Sequence, residues 1–150
     1  MVKKLIILLL FTSLFAVDLN SLIIIESKLF PKIAEISLQK KPKIAIVYDS
    51  STKEQALKMQ KLIKNSKAIS KLQKGYDVYI FLRKISKRDM EKLLKEKKLI
   101  FAADPKYIKN AMFSIYIGVR VYPYINPKII KEAELTINPL LFKVGKIYEE

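Results

Sequence analysis

Apolar and polar positions change rhythm along this chain in a way that marks out its elements. Leu22, Ile25, Leu29, Ile33 and Ile36 recur at helical spacing, so 19–38 reads as an amphipathic helix whose apolar face needs cover. Pro31 lies inside it and is expected to kink it or divide it in two. Lys40-Lys41-Pro42 breaks the pattern, and Ile44 to Tyr48 follows as a continuous apolar run. Such a run reads as a strand buried on both faces, as in a parallel sheet. Asp49-Ser50-Ser51 ends it. Ser51 and Glu54 have the spacing of a capping box, which predicts a helix from about Thr52 that buries Ala56, Met59, Leu62 and Ile63. Residues 65–74 are polar and less periodic, and Lys74-Gly75 closes them. Tyr76 to Leu82 reads as a second strand. Ser86 and Asp89 form another capping pair ahead of a helix carrying Met90, Leu93 and Leu94, and Leu99 to Ala103 reads as a third strand.

Three pairs punctuate the C-terminal third: Asp104-Pro105, Asn126-Pro127 and Asn138-Pro139. Each sets an N-capping side chain before a proline, the residue preferred at the first helical position. Between the first two, Met112 to Ile125 is strand-like around Gly118, which marks a bulge or a hairpin. Alternation of Ile115, Ile117, Val119 and Val121 predicts that these pack inward and that the even-numbered residues form the outer face. A helix near 127–133, a short strand near 134–137 and a last helix from 139 complete the chain. Strands alternating with helices, joined by right-handed crossovers, predict a single α/β domain. It would be a layered sandwich with a mainly parallel central sheet and helices on both faces.

The composition narrows the chemistry. Half the residues are hydrophobic (51%), too many for a disordered chain. With no cysteine there is no disulfide framework and no thiolate, and with no histidine there is no Ser-His-Asp triad, Cys-His pair or imidazole ligand. Gly75, Gly118 and Gly145 are the only glycines, too few for a phosphate cradle of backbone N–H groups. No catalytic residue, cofactor or metal is therefore expected. Asp49 and Asp104 both follow strands, and two carboxylates there could hold Mg²⁺, but capping and turn formation account for both. Asp49, Ser50, Ser51 and Ser86 would line the carboxyl edge of the sheet, where open α/β sheets bind ligands; helix capping explains the same residues. Arg120, Tyr122 and Tyr124, with Pro123 and Asn126 among them, form a second constellation. Exposed, they are partner-binding candidates, because Tyr and Arg are enriched where proteins bind one another.

The N-terminus sets the expected compartment. Lys3 and Lys4 precede the apolar stretch Leu5 to Phe15, and Ala16 is small: the layout of a signal peptide over 1–16, cleaved near Ala16, with the domain over 17–150. An uncleaved anchor is the alternative, although the run ends at Asp18 and Asn20, short of the roughly 20 residues that span a bilayer. The formal charge is +15, with the lysines spread along helices rather than gathered in one stripe. Export argues against nucleic acid. A solvated lysine-rich surface or a loose association with an anionic membrane surface accounts for the excess. Homo-oligomerisation is left open.

Ser114-Ile115-Tyr116-Ile117-Gly118-Val119, then Pro123-Tyr124-Ile125-Asn126, Ala133-Glu134-Leu135-Thr136-Ile137-Asn138, Leu140-Leu141 and Lys146-Ile147-Tyr148 together resemble the end of YfiR-like proteins. The alternation upstream also fits that family, although the aromatic-proline ending common in its opening helix is missing here. The resemblance implies a periplasmic, non-enzymatic protein that regulates an inner-membrane signalling protein, typically a diguanylate cyclase, by contact with its periplasmic domain. Disulfide control seen in some relatives does not carry over to a chain without cysteine. A different reading of the same residues is a small periplasmic ligand-binding component serving a transporter, for which the length is short of two lobes around a cleft.

Overall fold

A computed structural model describes residues 18–150; the segment 1–16, expected to be a signal peptide, lies outside them. Helix α1 (Leu19–Leu38) starts where Asp18 Oδ1 accepts from the Ser21 amide at 2.8 Å. It is not divided at Pro31: it runs on as one helix. A proline costs the helix one backbone bond, from its own position to the Ser27 carbonyl. Burial of Phe30, Ile33 and Ala34 on either side offsets that cost. The fully buried stripe is Ile23, Glu26, Ser27, Phe30, Ile33 and Ala34, while Leu22, Ile25, Leu29 and Ile36 of the predicted stripe are half-buried at its flank. Residues 22–25 are Leu-Ile-Ile-Ile, so the sequence supplies apolar groups on both sides, and the sheet chooses between them.

The chain continues through β1 (Ile44–Val47), α2 (Lys53–Leu62), β2 (Ser66–Ile69), β3 (Val78–Phe81), α3 (Lys87–Lys95) and β4 (Leu99–Ala102). A 3-10 turn (Pro105–Asn110), β5 (Phe113–Ile117), β6 (Val121–Ile125), α4 (Pro127–Glu132), α5 (Pro139–Val144) and β7 (Lys146–Ile147) follow. The strands form one sheet in the order β2-β1-β3-β4-β5-β6-β7. The pairs from β2 to β5 are parallel, β5 and β6 are antiparallel, and β7 runs parallel to β6. This is the single-domain α/β fold expected, with a mainly parallel sheet and helices around it. From β1 the chain steps one way to β2 and later the other way through β4 to β5. Right-handed crossovers then put α2 and α3 on opposite faces.

Every residue of β1, β3 and β4 is buried, which is why their apolar runs are unbroken. Phe101 of β4 is the hub: its ring centroid lies 5.0 Å from Phe30 of α1 and 5.1 Å from Phe113 of β5. That pair of contacts clamps α1 to the sheet.

Several local expectations are corrected. The polar stretch at 65–74 contains β2, an edge strand with only Ile69 fully buried. There is no strand at 134–137; the pairing partner of β6 is β7, after the last helix. The Ser51–Glu54 capping box does not form. Thr52 is the N-cap position of α2 and makes no side-chain cap bond, because Asp49 ties the turn instead. Ala56, Met59 and Ile63 of that helix region are buried, but Leu62, on the last turn beside β2 at the sheet edge, is exposed. Asn126 does not cap α4: its amide nitrogen donates to the Ile108 carbonyl at 2.9 Å, pinning that helix start to the 3-10 turn. Asp104 caps the 3-10 turn, Ser86 caps α3, and Asn138 caps α5 through the Leu140 amide at 3.0 Å. Asn138→Ala is expected to cost about 1 kcal/mol, the usual loss of an N-cap. Chemical denaturation should show it, and a variant that unfolds with the wild type would mean the cap contributes nothing.

Candidate functional site

The β5–β6 hairpin builds the most distinctive surface. Its register sets Ser114 opposite Tyr124, Tyr116 opposite Tyr122 and Ile117 opposite Val121. The turn is Gly118–Arg120, closed by the Gly118 amide donating to the Arg120 carbonyl at 2.9 Å. Directly opposed residues share a face, so Tyr116, Tyr122 and Tyr124 stand together. Tyr116 is 5.5 Å from Tyr124 and 6.5 Å from Tyr122, centroid to centroid. Tyr148, just after β7, meets Tyr124 edge-on at 5.9 Å, and the Lys146 ammonium sits 5.6 Å from the centre of the Tyr116 ring. Burial, then the neighbouring Tyr148 and Tyr116 hydroxyls, raise the Tyr124 phenol above its ordinary pKa. At the base, Ser114 is buried and its hydroxyl donates to the Ala102 carbonyl at 2.6 Å, anchoring the hairpin to β4.

Arg120 is exposed in the turn and makes no ion pair among the described residues. Tyr122 and Tyr124 are half-buried against the other rings, and Tyr116 is exposed. Ile117, Val119 and Val121, expected to pack inward, are exposed instead, Val119 at 96%; of that alternating set only Ile115 is buried. The reason is reach. β4 pairs with β5 only at Phe101 and Phe113, so the outer half of the hairpin projects beyond the sheet and neither of its faces is covered there. Tyr116, Lys146 and Tyr148 complete the cluster and were not singled out as site residues. The signal for Tyr116 was the turn at Gly118, from which the 116–122 pairing follows; β7 left no comparable signal.

The second set of candidates falls at the carboxyl ends of β1 and β3, the neighbouring strands between which the sheet order reverses. Asp49 and Ser86 lie in the two loops that leave those strands for opposite faces. Asp49 Oδ1 and Ser86 Oγ are engaged within their own loops. Asp49 Oδ1 accepts from the Ser51 amide and hydroxyl and from the Thr52 amide and hydroxyl, all between 2.7 and 3.1 Å. The bonds from Ser51, then those from Thr52, hold its carboxyl below the usual range. Ser86 Oγ accepts from the Asp89 amide at 3.1 Å, and Ser50 is exposed beside this network. Asp104 accepts from the Lys106 amide and pairs with its ammonium at 3.3 Å. Among the described residues no three His, Cys, Asp or Glu side chains cluster to hold a metal. A cavity of about 720 Å³ on the α3 and α4 side brings Lys84, Lys87, Lys109 and Lys128 together, but Glu91 and Glu150 pair with two of them.

Sequence reasoning missed Glu26. It is 1% exposed on the buried stripe of α1, and its Oε2 has no hydrogen-bond partner. Burial first, and then the negative charge of Asp104, push its carboxyl up to about 9, so it is a neutral acid at physiological pH. A spacing of i, i+4 with Phe30 was the available sign.

No family model and no curated protein matches the chain. A solved structure described as the ABC domain in complex with L-Trp from Streptococcus pneumonia is similar over 78% of this chain, with 13% identity and a TM-score of 0.53. The alignment covers 60% of that protein, so this chain spans about three fifths of its length, and the likeness is one of fold.

Proposed function

We propose that the protein is a non-enzymatic periplasmic regulator that docks, through the tyrosine face of the β5–β6 hairpin, on the periplasmic domain of an inner-membrane signalling protein. The observation that carries this reading is the cluster of Tyr116, Tyr122, Tyr124 and Tyr148, with an exposed Arg120 that makes no ion pair among the described residues, on a hairpin that projects from the sheet. Rigid aromatic rings and a guanidinium give large contact area at low entropic cost, the composition of binding hot spots. The resemblance to YfiR-like proteins supports the partner class, and the signal-peptide layout of 1–16 supports the compartment.

Truncating a central Tyr or Arg in such an interface typically costs about 2 kcal/mol or more, roughly thirtyfold in affinity. An Arg120→Ala, Tyr122→Ala, Tyr124→Ala variant with wild-type melting should therefore lose the membrane protein that the wild type recovers from envelope extracts. Equal recovery would place the interface elsewhere.

Ligand binding in a transporter system is the second reading. It draws on the loops after β1 and β3 and on a fold shared with a protein solved with L-Trp. It ranks below the first because Asp49 Oδ1 and Ser86 Oγ already accept from amides of their own loops.

A further inference from the structure

At the free end of the hairpin, Ile117, Val119 and Val121 are all exposed, and so are Leu140, Phe142 and Val144 of α5. α5 packs on β6 of the same hairpin. Gly145, which ends α5, lies against the hairpin stem: a Cβ there would stand 3.0 Å from the Pro123 carbonyl and 2.5 Å from the Ile125 side chain. α5 is held by Leu141, the one buried residue of its six. Six exposed apolar side chains on one hairpin end and the short helix packed on its stem are unusual for a solvent-facing region.

The hairpin and α5 carry charges of one sign. Residues 105–131 contain no Asp or Glu, and neither do residues 135–148. Arg120, Lys143 and Lys146 are exposed within or beside the apolar groups. Because β7 runs parallel to β6, away from the hairpin turn, Glu149 and Glu150 lie at the far end, where Glu150 pairs with Lys128 at 3.4 Å. Tyr116, Tyr122 and Tyr124 flank the tip on the stem. Aliphatic side chains at an apex, tyrosines behind them and cations around them match the layers of a lipid interface: acyl boundary, headgroup region and anionic surface.

We infer that the hairpin tip and the exposed side of α5 dock on an anionic lipid bilayer, the apolar side chains entering the headgroup boundary and the three cations meeting lipid phosphates. Among the described residues no helix is long and apolar enough to cross a membrane. The docking would hold the tyrosine face close to the bilayer but does not depend on that face binding a protein.

The chain has no tryptophan, so Val119→Trp in the full protein places a single reporter at the tip. A side chain as exposed as Val119 can be exchanged without disturbing the core. With vesicles of one part phosphatidylglycerol to three parts phosphatidylcholine, the emission of the introduced indole should shift to the blue and be quenched by brominated lipid. With phosphatidylcholine alone neither should occur. Lys67→Trp, at the opposite edge of the sheet, should respond to neither vesicle. Adding Arg120→Gln, Lys143→Gln and Lys146→Gln to the Val119→Trp protein should weaken the partitioning that the tip reporter reads by roughly a hundredfold, about fivefold per basic residue. The signal comes from residue 119 alone, whatever Leu5 to Phe15 does. No shift with the anionic vesicles, an equal shift with both vesicles, or a shift only when envelope proteins are included would overturn the inference; the last would assign the surface to a protein.

Discussion

Replacing Glu26 with leucine should stabilise the protein most at neutral and alkaline pH and least near pH 4. The Glu26 carboxyl is buried without a partner for Oε2 and titrates at about 9, against 4.5 for the ordinary group. Below 4.5 it is protonated whether the chain is folded or not, and the effect vanishes. Between 4.5 and 9 the unfolded chain releases the proton while the folded chain keeps it, so stability falls as the pH rises, by about 1.4 kcal/mol per unit. At pH 7 the accumulated cost is on the order of 3 kcal/mol. Above 9 the folded carboxyl ionises too, and the loss levels off. Glu26→Gln should abolish this slope, and Glu26→Leu should do the same while placing an apolar group against the core. Urea unfolding at pH 5, 7 and 9 reads the effect directly. A difference between wild type and Glu26→Leu that stays constant over this range would show that Glu26 is ionised or solvated in the folded protein.

Phe101→Ala should be the most damaging single truncation in the sheet, costing about 3–5 kcal/mol. Phe101 is fully buried, and its ring separates two others, Phe30 on α1 and Phe113 on β5. Deleting it leaves a cavity that the two flanking rings cannot fill without moving a helix or a strand. α1 reaches the sheet through Phe30, so hydrogen exchange in α1 should quicken more than in β1 or β3. A loss of less than about 1 kcal/mol in urea unfolding would mean that α1 is not seated on this ring.

β1, β3 and β4 were readable because each is sealed on both faces: four consecutive buried residues demand four consecutive apolar ones. Caps were equally local. Asp104, Ser86 and Asn138 reach amides two or three residues ahead, a bond that needs nothing from the rest of the fold. The alternation of these strands with helices then fixed the α/β class and its mainly parallel sheet.

Residues whose partners are distant in the chain were decided by the tertiary structure. β2 pairs with β1 through backbone groups that every residue carries, and as an edge strand it has little to bury, so Ser66, Lys67 and Ala68 gave no pattern. β7 exists because α5 returns the chain to β6, which two residues could not announce. Asn126 carried a capping signature but gave its amide to Ile108, a partner eighteen residues back. The same holds for the candidate sites. Composition marked Arg120, Tyr122 and Tyr124, whereas the grouping of Tyr116 and Tyr148 with them depends on hairpin register and on β7. Val119 and Val121 alternate like core residues and are exposed because β4 ends before it can cover them. Glu26 is buried because the sheet took the side of α1 that carries Phe30. Local spacing determines which residues share a face; which face becomes interior depends on how far the neighbouring elements reach.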